Sequence, residues 1–276
     1  MPEGSDAQDA PTKPTSGDAA ATTGISQAYP DRVEVRGRDL TGDLMGRLGF
    51  TEYFHLLVTG EEPTSDQRFF LDLLLVAIAE HGMMPTNVAA RMTLAADPAS
   101  LQGAIAAGIL GAGPVLLGTS EECARLLAEA QERVVAGEQP AAVALAMSSA
   151  VRESGERLPG FGHPVHRPTD PRAERILELA DERDVSGPHV ELARCFRDAV
   201  AEVWGRPLTL NISMPMAAVM LDLGFPPDIV KGIPILARTA GLIAHLSEER
   251  RRSVGFRMAK AAEDSVPYRA SEAPNA

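Results

Sequence analysis

Residues 159–173 read PGFGHPVHRPTDPRA. Four prolines in fifteen residues exclude a continuous helix. Gly160 and Gly162 permit backbone conformations that other residues resist, and so let the chain press His163 against whatever binds there. Arg167 and Arg172 add fixed positive charge in the planar fork that suits carboxylates and phosphates. Asp170-Pro171 is an N-cap followed by proline at the first helical position, launching the helix RAERILELADER. The loop therefore suits an anionic or carbonyl-bearing substrate. On composition alone it also reads as a rigid turn between domains with solvated charges.

Around this loop the chain has the makings of a helical enzyme. Its 276 residues suffice for one domain or two unequal ones. Aromatic residues are only 4%, while alanine and leucine abound, a balance that favours helices over sheets. A formal charge of −12 argues against nucleic acid or an anionic membrane as a general partner, so an anionic ligand needs a local basic site. Cys123 and Cys195 make neither a metal-type spacing nor a disulfide framework, as expected of a cytoplasmic protein. The first residues, MPEGSDAQDAPTKPTSGDAAATTG, carry acids where a secretion signal needs bases. No later run is expected to reach membrane-spanning length.

Residues 1–28 lack apolar periodicity and are expected to be a disordered tail. RVEVRGRDL suggests a short strand turning at Gly37. Helical patterns then follow over 40–58, 64–82, 86–95, 98–112, 119–136, 140–155, 170–184, 188–204, 211–223 and 227–249, and no alternating pattern competes, so the class is all-α. Thr64-Ser65-Asp66 and Thr119-Ser120-Glu121 are start signals. Two segments depart from a solvated bundle. IAAGILGAGPVLLGTSEE joins a small-residue helix to a fresh helix start through Gly113-Pro114. GIPILARTAGLIAHLSEE is apolar on nearly every side around Arg238, which must then be buried and must meet an anion. His245 lies seven residues on, along the same face. EERRR at 248–252 reads as a solvated helix end, and His55 and His189 as surface or satisfied core histidines.

GFGHPVHRPTDPRA resembles the GFGH…DPRA signature of the citrate synthase superfamily, and other segments follow in the family's order. VEVRGRDLTGDLMGRLGFTEYFHLLVTGEEPT is similar to its N-terminal stretch, AEHGMMPTNVAAR to its ADHE…S…R segment, AAGILGAGPVLLG to its GPLHGG segment, and the run from LNISMPMAA to ARTAGLIAHLSEE to its NVD…ARTAG segment. The likeness covers about residues 32 to 250. It implies an all-α citrate synthase fold: a large helical domain from 32–115 and 214–268, and a smaller helical domain, 116–213, closing over the active site.

The resemblance also implies roles. His163 matches the loop histidine that polarises a keto-acid carbonyl. His81, Arg172 and Arg238 match the residues that hold its carboxylates. Arg167 stands where some members meet coenzyme A phosphates, and His166 is a neighbour of that surface. Ser213, His245 and Arg257 are further candidates, Arg257 for the arginine that crosses from a second subunit of a homodimer. Two positions depart from the family. Leu116 replaces the GPLHGG histidine that stabilises the enolate, and Ser213 replaces the NVD aspartate that removes the methyl proton. The short chain and the missing histidine make it similar to the citryl-CoA lyase branch. The implied activity cleaves citryl-CoA, or a related 3-hydroxyacyl-CoA, to acetyl-CoA and an α-keto acid, with His163 accepting the hydroxyl proton. Condensation in the citrate synthase direction, or binding of an acyl-CoA or dicarboxylate without chemistry, are the alternatives. Coenzyme A thioester is a substrate here; no bound cofactor and no metal is implied, and no phosphate-binding or dinucleotide fingerprint occurs.

Overall fold

The computed structural model describes residues 21–163 and 165–269. The chain divides after Glu62 into two compact units. In the smaller, strands β1 (Ser26–Ala28), β2 (Val33–Val35) and β3 (Arg38–Asp39) form an antiparallel sheet in that order, turning at Arg36-Gly37 as the glycine suggested. Most of the tail expected over 1–28 lies outside the described residues, but Ser26–Ala28 are a strand rather than coil, because β2 offers its free edge to them. The helix expected over 40–58 is broken: a single π turn over Leu40–Leu44, capped by Asp39, precedes α1 (Phe50–Thr59). Gly46 at φ +78° and the turn after it prevent one continuous helix. Val35, Leu44 and Leu56 form this unit's core.

The larger unit holds α2 (Ser65–Ala79), α3 (Pro85–Ala96), α4 (Leu101–Leu110), α5 (Thr119–Val135), α6 (Pro140–Ser154), α7 (Pro171–Glu182), α8 (Pro188–Trp204), α9 (Ser213–Asp222), α10 (Gly232–Arg251) and α11 (Gly255–Ser265). Local chemistry sets several starts. Thr64 and Gln67 exchange the two bonds of a capping box before α2. Asp170 caps α7 with Pro171 following it. The run expected over 227–249 begins instead as a 3-10 turn, Pro227–Ile229, and α10 continues to Arg251. The sequence pattern missed α11, a short helix with only Gly255 buried.

The helices of this unit pack in two sets. α10 crosses α2, α3 and α4, with α11 on α3; α5, α6, α7, α8 and α9 pack among themselves. α9 begins at Ser213 and lies mainly against α5, α7 and α8, and it also touches α2, which joins the two sets. Contrary to the sequence expectation, one helix among the described residues, within Pro227–Arg251, holds an 18-residue window of mean hydropathy 1.4 and so is by length and composition apolar enough to cross a membrane. Its hydrophobicity has a use inside the bundle: Ile233, Ala237, Leu242 and Leu246 are buried, the last two in a core with Ala90, Leu94 and Ala104.

Candidate active site

A cavity of about 960 Å³ opens in the larger unit. Its walls are the end of α2 (Ile78, His81), the loop Pro114–Leu117, the stretch Glu156–His163, Arg172 of α7, Asn211–Ser213 at the start of α9, and Arg238 of α10. Residues remote in sequence meet here because the quoted loop is tied to the α9 entrance. Gly162 N–H donates to the Thr209 carbonyl at 2.7 Å, and Asn211 N–H to the Gly160 carbonyl at 2.9 Å. Gly160 sits at φ +82°, and a Cβ there would lie 2.7 Å from Met214 Cβ and 3.0 Å from Cys123 Sγ. Only glycine fits between α5 and α9 at this point.

Asp170 is fully buried and does two jobs beyond capping α7. Its carboxylate receives Arg172 Nε at 3.0 Å and Nη2 at 2.9 Å, and the backbone N–H of Ile212 at 3.3 Å. Burial pushes the carboxyl up, but the bonds and charge of Arg172 outweigh it and hold Asp170 below the ordinary aspartate range. Arg172 is thereby aimed with its Nη2 3.4 Å from His163 Nε2.

The His163 ring is set by the backbone that follows it. Its Nδ1 accepts the N–H of His166 at 2.8 Å and of Val165 at 3.1 Å. A neutral ring so held carries its proton on Nε2 and presents a donor outward. In that tautomer the ring can polarise an oxygen, the first of the roles that the resemblance implied for His163. His81 and His166 complete a cluster, with ring centres 5.6 Å and 4.4 Å from His163. Burial, followed by the charge of Arg172, lowers His81; burial followed by His166 lowers His163. The three rings bring one nitrogen each within 4.8 Å of one another, a spacing that can hold a metal ion and that sequence positions so far apart did not signal. Arg172 and Arg238 on the same walls give the cavity fixed positive charge, which favours an anion.

Arg238 is 2% exposed, as the apolar helix implied. The carboxylate partner expected beside it is replaced by neutral acceptors: Asn87 Oδ1 at 3.2 Å, Thr86 Oγ1 at 3.4 Å and the Ile78 carbonyl at 3.4 Å. Its Nε has no hydrogen-bond partner among the described residues. A buried guanidinium hydrogen-bonded to neutral acceptors, with one nitrogen left over and lining a cavity, is poised for an anionic ligand.

Behind the cavity runs a network that the sequence reading did not find. Glu80 accepts the N–H of His81 at 2.8 Å, that of Gly82 at 2.7 Å and Asn87 Nδ2 at 3.1 Å, and pairs with His245 at 2.9 Å. His245 is therefore a support of the His81 turn, outside the cavity lining. Arg91 joins His245 to Glu248 and Glu249. Glu249 is 2% exposed, so EERRR is not simply a solvated end: its second carboxylate accepts Ser253 Oγ and the N–H groups of Val254 and Gly255, starting α11. The signal available in sequence was the arginine of AEHGMMPTNVAAR, which must be paired if buried.

Other candidates fall elsewhere. Arg167 and Arg257 are exposed and outside the cavity lining. Ser213 and Leu116 line the cavity, as their alignment implied. Next to Leu116, Leu117 adopts φ +67° where the resembled motif has glycine. His55 bonds the Glu61 carbonyl at 2.9 Å and His189 pairs with Asp222 at 2.8 Å, satisfied histidines away from the cavity.

Residues 19–259 match the family model described as citrate synthase, C-terminal domain. Among solved structures, the chain is similar to the citryl-CoA lyase of Hydrogenobacter thermophilus, at 28% identity and a TM-score of 0.81, covering 94% of this chain and 98% of that one. An ATP citrate lyase from Methanothrix soehngenii, solved in complex with citrate and coenzyme A, shares the fold at 20% identity and a TM-score of 0.74 over 98% of this chain and 47% of that one. A citrate synthase-like protein of Aspergillus oryzae, oryE, is 32% identical over 77% of this chain and 48% of its own length. The chain spans about half the length of the curated relatives it matches.

Proposed function

The chain belongs to the citrate synthase family, and from that premise we propose that it cleaves citryl-CoA, or a related 3-hydroxyacyl-CoA, to acetyl-CoA and an α-keto acid such as oxaloacetate. The observation that carries this reading is the convergence of His81, His163, Arg172 and Arg238 on one cavity. Likeness to a citryl-CoA lyase along nearly the whole of both chains supports the cleaving direction over condensation.

Arg172 and the partner-poor Arg238 hold the carboxylates of the acid portion. His163 donates its Nε2 proton in a hydrogen bond to the hydroxyl oxygen, stabilising that oxygen as it becomes a carbonyl. His81, neutral and with no ring hydrogen bond to protein among the described residues, takes the hydroxyl proton. The bond from the hydroxyl carbon to the thioester α-carbon breaks, and its electron pair passes to the thioester as an enolate. Coenzyme A is the carrier portion of the substrate; solved relatives bind coenzyme A or citryl-CoA. Exposed Arg167 is suited to its phosphates. In this reading the helical domain expected over 116–213 closes over the cavity, and the protein works as a cytoplasmic homodimer with Arg257 or a neighbour reaching across.

A second reading draws on Leu116 and Ser213. Both line the cavity without the acid–base capacity of the family's residues, which favours an acyl-CoA or dicarboxylate sensor. Incubation with citryl-CoA, and separately with acetyl-CoA plus oxaloacetate, followed by mass analysis of coenzyme A species, separates the readings. Acetyl-CoA released from citryl-CoA supports cleavage. Thermal stabilisation by ligand with no turnover in either direction supports the sensor and rejects the enzyme.

A further inference from the structure

We propose that Glu122 supplies the carboxylate that Ser213 lacks, moving the proton at the thioester α-carbon. The inference rests on the cleavage reading above and names the group that completes it.

Two acids line the cavity, Glu122 and Glu156. Glu156 is exposed on the turn that follows α6. Glu122 is half-buried in the first turns of α5 and, among the described residues, has neither a hydrogen bond nor an ion pair. Its neighbour Glu121 is occupied by Arg125 at 2.6 Å and Lys231 at 3.8 Å. An acid kept without a partner on a cavity wall, beside one that is fully paired, is not explained by stability.

Its position follows from the packing around Gly160. Cys123 Sγ from α5 and Met214 from α9 both close on that glycine, at 3.0 Å and 2.7 Å from where a Cβ would stand. Glu122 and Ser213 are the residues immediately before those two, and both face the cavity. α5 and α9 thus meet at one glycine, with Glu122 and Ser213 each next to that contact and both on the cavity wall. The surrounding wall, Val115, Leu116, Leu117 and Leu158, is apolar and suits the uncharged thioester end of a substrate.

The step balances as follows. In cleavage, the enolate carbon takes a proton from the Glu122 carboxyl, giving the acetyl methyl and leaving a carboxylate. The proton taken from the substrate hydroxyl by His81 returns through solvent to Glu122. In reverse, the Glu122 carboxylate removes a methyl proton and the electron pair becomes the enolate.

The test is exchange of the acetyl-CoA methyl protons with deuterium oxide, followed by NMR in the presence of oxaloacetate, alongside citryl-CoA cleavage. Glu122→Gln is expected to slow both by about 100-fold or more, while the upward shift of melting temperature by oxaloacetate stays as in the wild type, since Arg172 and Arg238 are untouched. Glu122→Asp, which keeps the charge but retracts it by a methylene, is expected to fall between the two and guards against misfolding of the glutamine variant. Wild-type exchange and cleavage with Glu122→Gln unchanged overturns the role of Glu122 alone. A wild type silent in both assays overturns the cleavage reading, and this inference with it.

Discussion

Arg91 holds His245 by the ring: its Nε donates to His245 Nδ1 at 2.9 Å, leaving the histidine's other nitrogen to face Glu80 at 2.9 Å. Because Glu80 in turn binds the backbone N–H of His81, an arginine that does not line the cavity sets the turn that carries a cavity histidine. The same guanidinium meets buried Glu249, whose carboxylate accepts the N–H groups of Val254 and Gly255 at the start of α11.

Replacing Arg91 with methionine leaves Glu249 buried without its cation. The loss of unfolding free energy is expected to be about 3–5 kcal/mol, the range for breaking a buried pair from one side. Urea unfolding of the variant checks it, and a loss under about 1 kcal/mol would mean that Glu249 is satisfied by its α11 donors alone.

At Gly160 the backbone is left-handed and the space for a side chain is taken by Met214 and Cys123. Gly160→Ala is therefore expected to destabilise by about 2 kcal/mol or more, and to abolish the melting shift given by oxaloacetate or citrate. Gly162, at φ +89° but with nothing within 4 Å of a built Cβ, is expected to tolerate alanine better. Equal losses at the two positions would refute the steric part of this account.

Truncating the arginines separates anion binding from folding. Arg238→Met removes a buried charge held by neutral acceptors, so ligand affinity is expected to fall about 10- to 100-fold, the worth of a charge-assisted bond, with the fold retained. Isothermal titration with oxaloacetate or citrate reads the affinity. Arg172→Lys is expected to weaken binding as well, because lysine cannot keep the forked bond to Asp170 and still face His163.

The histidines give the pH dependence a sign. Burial holds both His81 and His163 below the ordinary histidine value of 6.5, so each stays neutral in the folded protein down to a lower pH than in the unfolded chain. Activity that needs both rings neutral is expected on the alkaline side and lost as pH falls below 6.5 through the lowered values. Stability follows the same direction: the unfolded chain binds the protons more readily, so this contribution is present above 6.5 and drains away as pH falls. A rate that rises on acidification across that window would contradict the neutral-ring mechanism.

Much of the fold was legible in local chemistry. The Thr64–Gln67 capping box, the Asp170-Pro171 start and the apolar stretch around Arg238 each act within a few residues, and each appears where the chain placed it. The loop glycines also declared themselves, since a positive φ is a property of the residue. Where the pattern misled, the cause was a competing local or tertiary term: Gly46 breaks the helix expected over 40–58, and α11, with one buried residue, has little apolar periodicity to read.

The sequence by itself determined a helical protein, its order of motifs and the residue types available to an anion. Only the tertiary structure decided which of them meet. His81 and His163 are 82 positions apart, and their ring centres come within 5.6 Å because the loop pairs with Thr209–Asn211 and α10 packs on α2. The direction of the His163 proton, the neutral cradle of Arg238 and the unpaired state of Glu122 depend on which donors and acceptors surround each group. Those neighbours come from distant elements packed together, and no local propensity carries that information.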